Sequence, residues 1–137
     1  AMNAVQSTFA KTSRALAAIS AIGVATALSL AAPAHAVDIK WSPADTFEHM
    51  VAIQPGKAAE VCGTIEPRLP VEWRFTANGP LTFDIHRHSG SEVIYATRSF
   101  MTRELNGRFS PTFNFDWCWM WSNESEAPVT VRVELKS

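Results

Sequence analysis

Alternating aromatic residues between Phe113 and Asn123 (FNFDWCWMWSN) constrain the fold more than any other feature of the sequence. Successive side chains of a β-strand point to opposite faces, so the rings at positions 113, 115, 117, 119 and 121 would share one face. A helix would scatter the same rings around its axis, and the pattern therefore predicts a strand. Five rings of about 150–250 Å² each are too much apolar surface to leave in water. They form either one wall of a core or a binding platform, and a core is the commoner case.

The N-terminal segment has the layout of a secretory signal peptide. Lys11 and Arg14 precede an uncharged apolar run, Ala15–Ala32, and Ala34-His35-Ala36 supplies the small residues that a signal peptidase reads. The run is short and rich in alanine for a membrane span, which argues against a transmembrane anchor. We therefore predict a signal peptide at residues 1–36 and a single mature domain at residues 37–137. The mature protein would be periplasmic or secreted, with no membrane attachment after cleavage.

The charge and motifs of the mature chain exclude several classes of function. Removal of Lys11 and Arg14 changes the formal net charge from −1 to −3, and no cluster of basic residues remains. Nucleic acid is therefore not an expected partner. The chain has no nucleophile motif, no phosphate-binding glycine loop and no HExxH sequence. We predict that the protein is not an enzyme.

The rest of the mature chain predicts short strands joined by turns. Alternation is clearest in Val71–Ala77, Leu81–His88 and Val129–Leu135, and weaker strand signals occur in Val37–Trp41, Ala58–Ile65 and Glu92–Thr97. Asn78-Gly79 is a strong hairpin signal, and Asn106-Gly107 repeats it. Asp45–Ile53 is compatible with either helix or strand. Since no long helix is indicated, the pattern predicts an all-β, antiparallel β-sandwich of about seven or eight strands.

The mature chain has two cysteines, Cys62 and Cys118. An even pair in an oxidising compartment predicts a disulfide bond. The bridge would close a long loop, which in the chain-entropy model stabilises the fold by about 4 kcal/mol. We expect it to join the strand Ala58–Ile65 to the aromatic strand across the sandwich.

The order of features from Cys62 to Leu135 resembles that of a GOLD domain, the β-sandwich of secretory cargo receptors and their bacterial relatives. The matching pieces are Cys62, Leu81–Ile85, Val93-Ile94-Tyr95, Trp117–Asn123 and Val129–Leu135. The resemblance implies a β-sandwich with the tryptophans in its core, and it implies little about activity. In the receptors the second cysteine lies three residues before the asparagine, where this chain has Met120. The receptors' coiled coil and membrane anchor have no counterpart in this sequence.

Five side chains form a candidate metal site. Asp84, His86 and His88 alternate along one strand on a face predicted to point outward, and two imidazoles at this spacing can share a metal ion. Cys118 and Met120 share the face of the aromatic strand opposite the tryptophans. Histidine, cysteine and methionine together are the ligands that soft copper prefers, so copper would be the cofactor. The sulfur ligands would join only if the two strands are neighbours and Cys118 is reduced; otherwise the histidines belong to a solvated sheet face.

These observations leave two classes of function open. The first is a non-enzymatic module that binds a protein partner or a small ligand through an edge strand or a rim aromatic residue. In its concrete form, an apolar or carbohydrate ligand stacks on Trp119 or Trp121. The second is a periplasmic copper-binding protein that uses His86 and His88 with Cys118 and Met120.

Overall fold

Residues 35–137, the part of the chain that this computed structural model describes, form strands joined by turns. The strands are β1 (His35–Asp38), β2 (Thr46–Ile53), β3 (Ala58–Ile65), β4 (Val71–Ser89), β5 (Glu92–Phe109), β6 (Phe115–Ser122) and β7 (Val129–Lys136). The prediction of an all-β fold is confirmed. Over the same residues there is no helix, and hence none long and apolar enough to span a bilayer. The ambiguous segment Asp45–Ile53 is extended, as β2.

The predicted signal peptide lies almost entirely outside the described residues, since residues 1–34 are not among them. Its cleavage point after Ala36 falls within β1, which pairs in parallel with β3. Cleavage there would leave Val37 and Asp38 opposite Val61 and Cys62. The signal peptide therefore stays a prediction.

The long strand β4 organises the sheet. The strands follow the order β1-β3-β6-β4-β7-β2, and all pairs except β1 with β3 are antiparallel. On one edge, β4 pairs with β7 over Glu72–Ala77 and then with β6 over Thr82–His86. Along its other edge it pairs with β5. The β4–β5 hairpin thus runs through both halves of a single sheet, which curls around the core.

The predicted hairpin at Asn78-Gly79 is wrong, because β4 continues through both residues. The β4–β5 register shifts between Thr76 and Leu81, and such an irregularity bends a strand. This is the point where β4 leaves β7 and joins β6. Asn78 and Gly79 have a packing role instead. Asn78 Oδ1 accepts a hydrogen bond of 2.8 Å from the backbone of Thr130, and a Cβ on Gly79 would lie 2.7 Å from the Val129 side chain.

The second predicted turn, Asn106-Gly107, also lies inside a strand, namely β5. A Cβ on Gly107 would lie 2.6 Å from the ring of Trp73, so the glycine lets the indole pack against the backbone of β5. The chain reverses instead at Gly90 and Ser91, between β4 and β5. There Gly90 has φ of 61°, a conformation that glycine adopts without steric penalty.

The core lies inside the curled sheet and contains three of the five aligned rings. Trp117, Trp119 and Trp121 are buried, and the Trp121 ring lies 5.6 Å from those of both Phe75 and Phe83. The core prediction is therefore confirmed for the tryptophans. It is wrong for Phe113 and Phe115, which are exposed. Phe113 lies before β6, and Phe115 is the first residue of that strand.

Asn123 ends the aromatic strand with a buried, fully bonded amide. Its Nδ2 donates hydrogen bonds to the carbonyls of Ile53 (2.9 Å) and Ala127 (2.8 Å). Its Oδ1 accepts bonds from the backbone N–H (2.9 Å) and hydroxyl (2.6 Å) of Ser125. These four bonds use both donors and both lone pairs of the amide. The side chain therefore fixes the β6–β7 turn against the end of β2.

Candidate functional site

The predicted metal ligands on β4 lie on the sheet face opposite Phe83 and Ile85, but they are less open to solvent than the sequence indicates. Asp84 is 6% exposed and His86 is 3% exposed, whereas His88 is exposed. The prediction of an outward, solvated face is therefore wrong for Asp84 and His86. Neighbouring side chains cover this face, because β4 is flanked by β5 on one edge and by β6 on the other. The rings of His88 and Tyr95 lie 5.1 and 6.1 Å from that of His86.

Both ring nitrogens of His86 face carboxylates. Nδ1 is hydrogen-bonded to Asp84 Oδ1 at 2.6 Å, and Nε2 lies 3.8 Å from Glu60 Oε2. The hydrogen bond to Asp84 raises the pKa of His86 above its ordinary value. Burial opposes this effect, while the negative charges of Asp84 and Glu60 add to it. The arrangement therefore favours the protonated imidazolium in the bridged protein.

The strand pairing places the sulfur residues beside this histidine. Cys118 is the register partner of His86, and Met120 is the partner of Asp84. One condition for a joint site, that the two strands are neighbours, is therefore met. The other is not, because Cys118 is bridged to Cys62. A bridged sulfur carries no thiolate, so the predicted copper ligand set is incomplete while the disulfide is intact.

The disulfide is present as predicted, but its place in the fold differs. β3 and β6 are adjacent strands, and Cys62 lies directly opposite Cys118 with 4.1 Å between their Cα atoms. The prediction that the bridge crosses the sandwich is therefore wrong, and the bridge staples neighbouring strands of one sheet. Alternation along each strand could not reveal this, because it does not say which strands are neighbours.

Glu60 belongs to this cluster, although no sequence pattern singled it out. One ligand atom each from Glu60, His86 and Cys118 lie within 4.8 Å of one another. Glu60 is two residues before Cys62 on β3 and therefore on the same face. The register that brings this face to His86 runs through β6 and depends on long-range pairing. The only local signal was the Glu-x-Cys spacing, which is not specific.

The proposed stacking of a ligand on Trp119 or Trp121 does not fit this structure. Their exposures are 0% and 1%, so neither ring offers a free face. Both rings are buried in the core, which they form together with apolar side chains of β4 and β7.

The exposed apolar surface lies on β5 instead. Within the described residues this 18-residue strand pairs only with β4, so its second edge is free. We define the β5 surface as Val93, Tyr95, Arg98, Phe100 and Met101, which are all exposed. The Arg98 guanidinium lies 4.3 Å from the centre of the Tyr95 ring and 5.6 Å from that of Phe100. These contacts hold the two rings beside a positive charge.

A second exposed aromatic group flanks the hairpin where β6 begins. The Arg87 guanidinium lies 4.1 Å from the centre of the Phe115 ring, and the Phe113 ring is 6.3 Å from that of Phe115. Arginine, tyrosine, phenylalanine and methionine are thus concentrated on and beside one hairpin. This composition is typical of surfaces that bind proteins.

A groove of about 590 Å³ lies where β2, β4, β5 and β7 approach one another, with Phe47, Trp73 and Leu135 among its lining. The Arg74 and Glu134 side chains in this groove form an ion pair with each other. The pair lowers the pKa of Glu134, chiefly through the hydrogen bond from Arg74. Two of the six charged side chains that line the groove are thus paired with each other.

Fold and site together define an all-β domain with an intramolecular disulfide and an exposed aromatic hairpin. No family model matches the chain, and no curated protein matches it. The GOLD resemblance is therefore supported only as a general likeness among β-sandwich folds.

Among solved structures, the chain is similar to PliG of Aeromonas hydrophila, a periplasmic inhibitor of g-type lysozyme. The identity is 8%, the match covers 74% of this chain and 96% of PliG, and the TM-score is 0.52. The chain also matches the Yersinia pseudotuberculosis-derived mitogen, with 16% identity, coverage of 66% and 84%, and a TM-score of 0.49. A designed double-stranded β-helix matches with 21% identity, coverage of 65% and 97%, and a TM-score of 0.42. At these identities the similarity to PliG shows a shared fold.

Proposed function

We propose that this protein is a secreted or periplasmic, non-enzymatic module that binds a protein partner through the β5 surface. The observation that carries the proposal is the combination on one strand of a free edge and exposed large apolar side chains. A free edge presents unpaired backbone N–H and C=O groups, to which a partner can add a strand. The neighbouring rings supply the apolar contact area that gives such a contact affinity.

The charges of the β5 edge oppose its pairing with a second copy of the chain. Arg98, Arg103, Glu104 and Arg108 are all exposed along it. Charged side chains on an edge strand oppose unspecific strand pairing. A partner must therefore offer complementary charge as well as a strand or groove.

The distribution of charge indicates the chemistry of that partner. Residues 71–109, the β4–β5 hairpin, contain five arginines and four carboxylates, hence a net charge of +1. The rest of residues 37–137 contains five basic and nine acidic residues, hence −4. The hairpin is thus the positively charged part of an otherwise acidic domain. This charge favours a partner protein with an acidic binding surface.

The fold shared with PliG suggests a first partner to test, although it transfers no partner by itself. PliG inhibits a g-type lysozyme. We would therefore measure binding to g-type and c-type lysozymes first. The proposal requires a protein partner at the β5 surface, and lysozyme is one candidate.

A pair of matched positions tests the surface directly. Phe100 on β5 and Met50 on β2 are 65% and 67% exposed, so a photoreactive phenylalanine can replace either without disturbing the core. In cells that secrete the protein, position 100 should yield a discrete cross-linked product and position 50 should not. A Tyr95→Ser substitution should reduce the yield at position 100 by about tenfold, since an aromatic contact in an interface centre contributes about 1–2 kcal/mol. Absence of a product at position 100, or equal products at both positions, would refute the proposal.

A further inference from the structure

We propose that reduction of the Cys62–Cys118 disulfide opens a Zn²⁺ site formed by the two cysteine thiolates, the His86 imidazole and the Glu60 carboxylate. The proposal is independent of the β5 surface. It differs from the copper site predicted from sequence, which lacks Glu60 and Cys62 and includes His88 and Met120.

The geometry places three donors close together, with the fourth bonded to one of them. The ligand atoms of Glu60, His86 and Cys118 lie within 4.8 Å of one another, and Cys62 Sγ is bonded to Cys118 Sγ. In a tetrahedral zinc site with bonds of about 2.0–2.3 Å, the donors lie about 3.3–3.8 Å apart. Side-chain rotations of the half-buried Glu60 and of the two freed cysteines would bring the four donors to that spacing. Two thiolates, one imidazole and one carboxylate are a ligand set that suits Zn²⁺.

The surroundings of His86 supply a second, independent argument. Its Nδ1 is hydrogen-bonded at 2.6 Å to Asp84, whose side chain is itself buried, and its Nε2 is the atom that faces Glu60. A metal-binding histidine commonly presents one nitrogen to the metal while a carboxylate orients the other. The strand therefore already holds the His86 ring in the orientation that a metal-binding histidine has. His88, by contrast, is exposed and has no comparable partner among the hydrogen bonds of the described residues.

The disulfide controls whether zinc can bind, because a bridged sulfur is not a thiolate. A dithiol reductant supplies two electrons and two protons: the S–S bond breaks, two thiols form, and the reductant becomes a disulfide. Zn²⁺ then displaces the two thiol protons and the Nε2 proton of the His86 imidazolium, and it binds both sulfurs and the imidazole. The bridged protein should thus bind no zinc at this site, and the reduced protein should bind one ion.

Cobalt substitution and zinc competition test this inference on the purified secreted protein. After anaerobic reduction, Co²⁺ should give thiolate-to-cobalt absorption with one ion per chain, and Zn²⁺ should abolish it. The bridged protein should show neither. His86→Ala should weaken Zn²⁺ binding at least tenfold, and Asp84→Asn should weaken it about 10–100-fold by releasing the oriented ring. His88→Ala is the matched control and should bind like the wild type.

Folding is monitored in the same samples by the near-ultraviolet circular dichroism of the tryptophans. If reduction unfolds the chain, Zn²⁺ should restore the native spectrum of the wild type and fail to restore that of His86→Ala. Equal zinc binding by the bridged and reduced proteins, or by wild type and His86→Ala, would overturn the inference. A loss of binding in Met120→Leu but not in Glu60→Gln would also overturn it, and would point to the Cu(I) ligand set instead.

Discussion

Removal of the cross-strand disulfide is the sharpest stability test of the structure. Cys62 and Cys118 are 56 residues apart, and the bridge therefore closes a long loop in the unfolded chain. The chain-entropy model gives about 4 kcal/mol of stabilisation for a loop of this length at 25 °C. The register of β3 and β6 runs from Ala58–Ser122 to Ile65–Phe115, and the bridged pair is only one of these pairs. The folded state should therefore keep its pairing when the bridge is removed. The Cys62→Ala/Cys118→Ala variant should thus fold into the same sheet with a free energy of unfolding lower by about 4 kcal/mol.

Urea unfolding followed by tryptophan fluorescence measures this loss, because the four core tryptophans leave a buried environment together. At an m value of about 1–3 kcal/mol/M, the midpoint should fall by about 1–4 M. Wild type reduced in the presence of a chelator should unfold near the midpoint of the double variant, since both lack the bridge and bound metal. A loss of less than about 1 kcal/mol would refute the loop-entropy reasoning. An unchanged wild-type midpoint on reduction would show that the bridge does not form.

Three further predictions concern single residues. Gly107→Ala should lower the free energy of unfolding by about 1–3 kcal/mol, because its Cβ would lie 2.6 Å from the Trp73 ring; an unchanged urea midpoint would contradict this packing. Asn123→Ala should cost about 3 kcal/mol, since it leaves the buried Ile53 carbonyl without its side-chain donor, and the exposed Asn114→Ala should unfold like wild type in the same titration. The raised pKa of His86, which faces Asp84, Glu60, His88 and Tyr95, means that the folded state binds its proton more tightly than the unfolded state. That stabilisation is complete below the ordinary pKa of 6.5 and is lost as pH rises through the folded value, so the melting temperature of wild type relative to His86→Gln should fall between pH 6 and 8.5; a difference that is constant or rises would contradict it.

The features of the site that sequence could predict are those that depend on one strand alone. The alternation in Leu81–His88 correctly placed Asp84 and His86 on one face, and that in Phe113–Asn123 placed Cys118 opposite the tryptophans. The burial of His86 and the proximity of Glu60 to it could not be predicted. Both depend on which strands flank β4, and neighbours in a sheet are chosen by the fit of whole faces rather than by local spacing.

The sequence by itself determined the all-β class, the faces of most strands and the identity of the core tryptophans, because a two-residue period is a local property of the chain. Only the tertiary structure decided that β4 continues through Asn78-Gly79. The preference of Asn-Gly for a hairpin is local, and it is outweighed when the two halves of the strand can pair with β7 and β6 on one edge and with β5 on the other. Tertiary pairing likewise made Cys62 and Cys118 cross-strand neighbours and, among residues 35–137, left β5 with a free edge, since hydrogen-bond partners of a strand come from distant segments whose register no local pattern encodes.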